Sequence, residues 1–192
     1  IVGGGAAGML CSIIAARNGC EVFLYEKNEK LGKKLYITGK GRCNVTNNCE
    51  VEDLLRAVMT NSKFLYSAFY TFNSQDMMAL LEETGVPLKT ERGNRVFPQS
   101  DRSSDIIRGL ERLMKKYGVH VRFRSEVREI LTKDGTATGI SLADGEVQNA
   151  DAVVVATGGL SYPTTGSTGD GYRFAQETGH KVTELSPSLV PL

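Results

Sequence analysis

Val2 runs into Gly3-Gly4-Gly5-Ala6-Ala7-Gly8, and the chain continues as Met9-Leu10-Cys11-Ser12-Ile13-Ile14-Ala15-Ala16-Arg17 before Asn18-Gly19. A Gly-x-Gly-x-x-Gly spacing constrains the fold because it is useful where an extended segment turns sharply into a helix. Small and apolar residues surround that helix on nearly all sides, so it is expected to lie buried against a sheet. Asn18-Gly19 supplies its stop. Glu21-Val22-Phe23-Leu24-Tyr25-Glu26 then reads as a second strand. These segments form a β-α-β unit of about thirty residues.

Each part of the turn has a physical task. Gly3 permits the tight turn, Gly5 lets backbone approach a pyrophosphate, and Gly8 lets the helix pack closely on the sheet. Ala6 and Ala7 stand in the first helical turn, where unpaired N–H groups and the positive end of the helix dipole face an anion. Glu26, eighteen residues past Gly8, is placed to accept hydrogen bonds from ribose hydroxyls and to disfavour a 2′-phosphate. The competing account is a glycine-rich structural turn beside a surface glutamate. The context predicts an α/β, Rossmann-like dinucleotide-binding domain with a central parallel sheet.

Twelve of the 21 glycines fall in this turn and two further clusters. The second, residues 32–47, holds Gly32, Gly39 and Gly41 with Lys33, Lys34, Lys40, Arg42, Thr38, Cys43, Asn44 and Asn47. It lacks the spacing of a nucleoside triphosphate loop. It reads equally as a solvated basic loop or as a cradle for a diphosphate and a polar ribityl-type chain. The third is Ala156-Thr157-Gly158-Gly159 followed by Thr165-Gly166-Ser167-Thr168-Gly169-Asp170-Gly171. Ligands in open α/β sheets bind beyond the carboxyl ends of strands, where this turn falls. Asp170 is a candidate hydrogen-bond partner for a ribityl or ribose hydroxyl, a helix N-cap for residues 172–178, or both.

The remaining segments fill in the architecture. Residues 28–49 read as loop with one turn of helix, residues 51–84 as helical, and Arg92-Gly93-Asn94-Arg95 as a turn. Ser103 or Ser104 is expected to cap an amphipathic helix with Ile106, Ile107, Leu110, Leu113, Met114 and Tyr117 on one face. Asp134-Gly135 and Asp144-Gly145 mark the turns of a small antiparallel β-meander, and Val153-Val154-Val155 reads as a central parallel strand buried on both faces. Packing accounts for Tyr66, Phe69, Tyr70 and Phe72, although one ring is a candidate wall for a bound cofactor. His120 reads as a strand histidine and His180 as the companion of a helix C-terminus.

Composition removes other classes. With 23 Lys+Arg against 22 Asp+Glu, no polyanionic partner is expected, and nucleic acid is not predicted. The four cysteines, Cys11, Cys20, Cys43 and Cys49, form no C-x-x-C pair, so free thiols are expected and no metal site. No run approaches the roughly 18 apolar residues of a membrane span, and without a targeting signal the cytoplasm is the default. A start only two residues before the glycines and an end at Pro191-Leu192 lead us to expect a piece of a longer protein.

The fingerprint, Gly39-Lys40-Gly41-Arg42-Cys43-Asn44-Val45-Thr46-Asn47, Arg95-Val96-Phe97-Pro98, Ala156-Thr157-Gly158-Gly159 and residues 165–171 together resemble one bacterial flavoprotein family. Its members are similar to glutathione-reductase-type FAD proteins and include aminoacetone oxidases and flavin-dependent steroid reductases. The resemblance implies bound FAD near Gly3, Gly5, Gly8, Glu26, Lys27, Lys34, Gly41, Arg42, Cys43, Asn44, Val127, Thr157, Gly158 and Asp170, with Val127 offering backbone groups to adenine. Ala6, Ala7, Thr38, Ala156 and Gly159 complete the candidate set. It also implies an FAD domain over residues 1–185, with a helical excursion at 50–117 and the meander at 126–150, and an inserted domain beginning at 186–192. The expected activity is FAD-dependent oxidoreduction, with NAD(P)H as a candidate donor, oxygen or a small organic molecule as acceptor, and an undefined oligomeric state. An NAD-dependent dehydrogenase explains only the first cluster. A flavin-binding protein of the RNA-modification type is the other alternative.

Overall fold

Four extended segments lie side by side in the computed structural model, which describes residues 1–186. Helix α1 (Ala6–Arg17) leads from the first glycine turn to β1 (Phe23–Glu26). The short α2 (Lys33–Ile37), β2 (Thr46–Asn47), α3 (Val51–Ala57), α4 (Tyr66–Thr71) and α5 (Ser74–Glu83) follow. Then come β3 (Leu88–Glu91), β4 (Arg95–Pro98), α6 (Ser103–Lys116), β5 (His120–Phe123), β6 (Val127–Lys133), β7 (Thr136–Leu142), β8 (Val147–Asn149) and α7 (Asp170–Glu177).

The parallel sheet is small and continuous. β1 pairs in parallel with β5, Phe23 opposite His120 and Glu26 opposite Phe123. On its other side Val2 bridges Tyr25 and Val155, both in parallel. The order across the sheet is therefore β5, β1, the segment at Val2, and the segment at Val155. The crossover from Val2 through α1 to β1 is the β-α-β unit expected from the glycine spacing. Rossmann-type architecture is thus present, with antiparallel additions.

One expectation about this sheet is corrected. Val153-Val154-Val155 does not form a strand buried on both faces: Val154 and Val155 are 39% and 40% exposed. Among the described residues this segment has a neighbour only at Val2, so it is a sheet edge. An apolar run looks the same in sequence whether one or two strands flank it.

Helix α6 carries the main core. Ile106, Leu110, Leu113 and Met114 are buried with Met9 and Ile13 of α1, Leu24 of β1 and Leu81 of α5. The cap expected at its start is corrected: the residue before the helix is Arg102, and no side chain caps it. Ser103 is already helical and its hydroxyl donates instead to the Tyr36 carbonyl at 2.7 Å. The helical stretch over 51–84 is three helices. The Asn73 carboxamide and the Asp76 carboxylate close a reciprocal capping box that starts α5 afresh.

A small antiparallel sheet in the order β2-β4-β3 ties the excursion to the segment just before it, which supplies β2. Asp134 and Gly135, both with positive φ (51° and 76°), join β6 to β7, as a type I′ hairpin requires. With β8 they form the expected meander. Val127, Ile140 and Leu142 of the meander share a second apolar cluster with Val2, Tyr25 and Phe174 of α7. Among the described residues no helix is long and apolar enough to cross a membrane. The inserted domain expected from residue 186 falls almost wholly outside the described residues.

Burial predicts the energetics of α6. Leu110→Ala, at a position only 2% exposed, is expected to cost about 2–5 kcal/mol in urea unfolding. Arg108→Ala on the solvent face of the same helix is expected to stay within about 0.5 kcal/mol.

Candidate functional site

The first turn is shaped by close backbone approaches. Gly3 has φ +101°, and a β-carbon there would stand 2.6 Å from the Ala156 carbonyl oxygen. A β-carbon at Gly8 would stand 1.9 Å from the Gly3 carbonyl oxygen. Helix α1 and the 156–158 segment are thereby drawn onto the same turn. Gly5 differs, because nothing lies within 4 Å of where its β-carbon would be. Its backbone is ordinary extended (φ −79°), so neither sterics nor conformation inside the protein demands glycine there.

That open space belongs to a cavity of about 570 Å³, within the range of roughly 300–1,000 Å³ usual for small-molecule and cofactor pockets. It is lined by Gly3, Gly5, Ala6 and Ala7 of the turn, by Glu26 and Lys27 at the end of β1, and by Lys34 and Thr38 of the second cluster. Val127 from the meander and Ala156, Thr157, Gly158 and Asp170 from the third cluster complete the candidate residues present. Gly8, Gly41, Arg42, Cys43, Asn44 and Gly159 are not among its lining residues. Gly8 sits behind the turn, and Cys43 is buried in the main core.

The helix terminus is undecorated. Met9 N–H is the first to find a helical acceptor, the Gly5 carbonyl at 2.9 Å, so Ala6, Ala7 and Gly8 contribute free N–H groups. No side chain caps α1, and no acidic residue lies in its first turn. Two more polar atoms face the same absence of partners: Tyr25 Oη and Thr157 Oγ1 are buried without a hydrogen bond, and both residues line the cavity. Burial raises the Tyr25 hydroxyl pKa above its ordinary value, against the opposing influence of Arg122. These groups suit an anionic and hydroxyl-rich ligand.

Glu26 is held rather than free. It is 7% exposed; one oxygen accepts the Gly4 N–H at 2.7 Å, and the other accepts Asn28 N–H at 2.8 Å and Asn28 Nδ2 at 2.6 Å. The sequence reading missed Gly4 and Asn28. A β-carbon at Gly4 would stand 2.3 Å from Leu31 and 3.0 Å from Glu26 Oε2. Asn28 also donates to the Thr165 carbonyl at 3.3 Å and accepts from Lys33 at 3.1 Å. The only local signal for it was its position two residues past Glu26.

Two lysines tie β1 and α2 to the third cluster. Lys27 Nζ lies 2.7 Å from both Asp170 Oδ2 and Thr168 Oγ1, and Lys34 Nζ donates to the Ser161 carbonyl at 2.9 Å. Asp170 opens α7 as its first residue, behind Gly169, so the N-cap alternative is corrected: its carboxylate serves Lys27 and Thr168. Burial alone would raise the Asp170 pKa, but the Lys27 and Thr168 hydrogen bonds, with the charges of Lys27 and Arg173, hold it below its ordinary value.

The second cluster is strained. Gly39, Lys40, Gly41 and Cys43 all have positive φ, 57°, 58°, 84° and 60°. The two non-glycine residues cost roughly 1–3 kcal/mol each in that region. Arg42 is engaged by Glu91 and Asp101. The four aromatic residues expected to pack divide: Phe69 is half-buried and Phe72 packs against the main core, whereas Tyr66 and Tyr70 of α4 are 55% and 47% exposed, each against the other at 4.5 Å between ring centres. Short helices with few core neighbours leave such rings on the surface.

A glycine turn between parallel segments, a bare helix terminus and a cavity past the strand ends define a Rossmann-type domain. A model of the HI0933-like protein Rossmann domain matches residues 1–187, and the chain belongs to that family. It is 32% identical over its whole length to the 3-dehydro-bile acid delta(4,6)-reductase of Clostridium scindens. It is 35% identical, again over its whole length, to the ribosomal RNA dihydrouridine synthase of Escherichia coli. The chain spans 46% of the length of each, so about half of these relatives lies outside it. Among solved structures, a flavocytochrome c3 fumarate reductase in its open conformation matches 93% of this chain and 39% of its own, with a TM-score of 0.72 and 26% identity.

The Asp170 environment yields a pH prediction. Its depressed pKa means that the Lys27–Asp170 pair stabilises the fold above the ordinary carboxylate range and loses that contribution as pH falls through the folded-state value. Lys27→Met removes the opposing cation and leaves burial dominant, so the Asp170 pKa is expected to rise above its wild-type value. Carboxyl NMR titration of both proteins measures this; an unchanged pKa would show that Lys27 is not the cause.

Proposed function

We infer that this chain forms the FAD-binding part of a flavin-dependent oxidoreductase. The observation that carries the reading is Gly5. Its missing side chain relieves no contact within the protein, yet it borders a cavity walled by free helix N–H groups and a fixed carboxylate. That is the arrangement expected where a pyrophosphate must approach the backbone closely.

The residues present fit the cofactor in kind. Ala6 and Ala7 would offer N–H groups to its diphosphate, with Gly8 seating the helix behind them, and Glu26, oriented by Gly4 and Asn28, would meet ribose hydroxyls. Val127 would present backbone to adenine, while Lys34, Thr38, Thr157, Gly158 and Asp170 would meet the remaining polar chain. Bound flavin would supply the two-electron hydride chemistry, so the protein's task is binding, orientation and exclusion of water. The scarcity of acid-base constellations in the sequence agrees with that division. An NAD-dependent dehydrogenase is disfavoured, because the second and third clusters would then have no task.

The relatives support a class of acceptor. A bile acid delta(4,6)-reductase and a dihydrouridine synthase both take their names from saturating a carbon–carbon double bond conjugated to a carbonyl. A small enone-like acceptor, with NAD(P)H as hydride donor, is the reading that unites them. An RNA-borne uracil ring is the second reading. It is favoured by the name of the Escherichia coli relative and opposed by the near-neutral charge of this chain, which offers little to track phosphates.

Two measurements test the proposal. Wild-type protein incubated with FAD is expected to retain it through gel filtration and to show the two-banded visible spectrum of bound flavin. Gly5→Ala is expected to melt within a few degrees of wild-type apoprotein, because a β-carbon there meets no protein atom within 4 Å, yet to bind FAD about ten- to a hundredfold more weakly. A colourless wild-type protein, or a Gly5→Ala variant that binds FAD normally, would sink the reading. Anaerobic bleaching by NAD(P)H, followed by reoxidation with a 4-ene-3-ketosteroid or with uridine-containing RNA, separates the two acceptors.

A further inference from the structure

The Arg42 guanidinium is committed to a charge cluster that the cofactor reading does not use. Its Nε donates to Asp101 Oδ1 at 2.8 Å, and one terminal nitrogen pairs with both Asp101 and Glu91. Lys89 closes the cluster, 2.7 Å from Asp101 Oδ2 and 3.4 Å from Glu91 Oε1. The guanidinium also lies over Phe97, 4.2 Å from the ring centre. Two cations and two carboxylates balance one another here, so Arg42 is not a spare cation waiting for a phosphate. A fork that spans two carboxylates and stacks on a ring is a task for arginine in particular.

What the cluster holds is the strained turn. Arg42 fastens one end of it to β3 and to the turn after β4, while the Ser103 hydroxyl fastens the other end through the Tyr36 carbonyl at 2.7 Å. Between these ties stand Gly39, Lys40 and Gly41, all left-handed, with left-handed Cys43 just beyond. Such a conformation persists only when its surroundings over-determine it. The turn is closed by Cys43 N–H donating to the Thr38 carbonyl at 3.0 Å, and the Thr38 hydroxyl donates to Leu35 at 2.7 Å. Lys33, Lys34, Leu35 and Thr38 are the cavity wall on this side. A shift at residues 42–43 is therefore delivered to Thr38 through a hydrogen bond.

We propose that Arg42 is a positioning residue: by bridging Glu91 and Asp101 it holds the 38–43 turn in the shape that forms the cavity wall for the part of FAD beyond its ADP moiety. The proposal rests on the flavin reading above. The adenosine and diphosphate end is served by the first turn and Glu26, which this cluster does not touch. Loss of the cluster should therefore weaken FAD and spare ADP.

The experiment is a double-mutant cycle on the apoprotein, with FAD and ADP dissociation constants measured by calorimetry. Arg42→Met is expected to weaken FAD about ten- to a hundredfold, the scale on which partners behind a site are felt, with ADP unchanged within about twofold. The Glu91→Gln/Asp101→Asn protein is expected to match it, and the triple variant to be no worse than either, because all three remove one bridge. Arg42→Lys is expected to recover only part of the loss. Additive losses would mean that Arg42 meets the flavin directly and would overturn the proposal, as would equal losses of FAD and ADP. Wild-type protein that binds ADP but not FAD removes the flavin reading itself, and this proposal with it. Wild-type binding of FAD with Arg42→Met unchanged overturns this proposal alone.

Discussion

The close approach of two backbone segments, Gly3 and Ala156, governs this structure. With room for no β-carbon between them, the first glycine turn and the third cluster are forced to the same place. Gly8 then brings α1 down behind the turn, and its first N–H groups reach the cavity. Everything else that lines the cavity is arranged around this contact. The apolar cluster of Val2, Tyr25, Val127 and Phe174 lies on the cavity wall, joining the meander and α7 to the sheet.

Electrostatics finishes what the backbone begins. Glu26, Lys27, Asn28 and Lys34 come from one short stretch, and each reaches residues far along the chain or in the first turn. None of these contacts is a large source of stability, because most are partly exposed. Their value is geometric. The Glu26 carboxylate receives three donors and is fixed in direction, which is worth more to recognition than another exposed ion pair would be to folding.

The elements legible in the sequence were those defined by local rules. The glycine spacing marked the β-α-β unit because Gly3 and Gly8 answer nearby steric demands, and Asp134-Gly135 marked the hairpin because both residues tolerate positive φ. The amphipathic face of α6 was readable from its period. What stayed hidden depends on partners distant in sequence. Asn28 gains its meaning from Glu26 and Thr165 together, and Arg42 from Glu91 and Asp101. Ser103 looked like a cap until its hydroxyl was seen on Tyr36. The valines at 153–155 carried no mark of whether a further strand lies beyond them.

Those valines stand at an edge of the sheet. Ala152-Val153-Val154-Val155-Ala156 is uncharged, free of proline and rich in β-branched residues, and its outer side has no strand partner among the described residues. Proteins usually blunt such edges with a lysine, a proline or a bulge. Here the run is bare, a ready template on which another extended chain can be added. Among the described residues, that edge therefore offers unpaired backbone groups to a further extended segment, from whatever part of a protein such a segment comes.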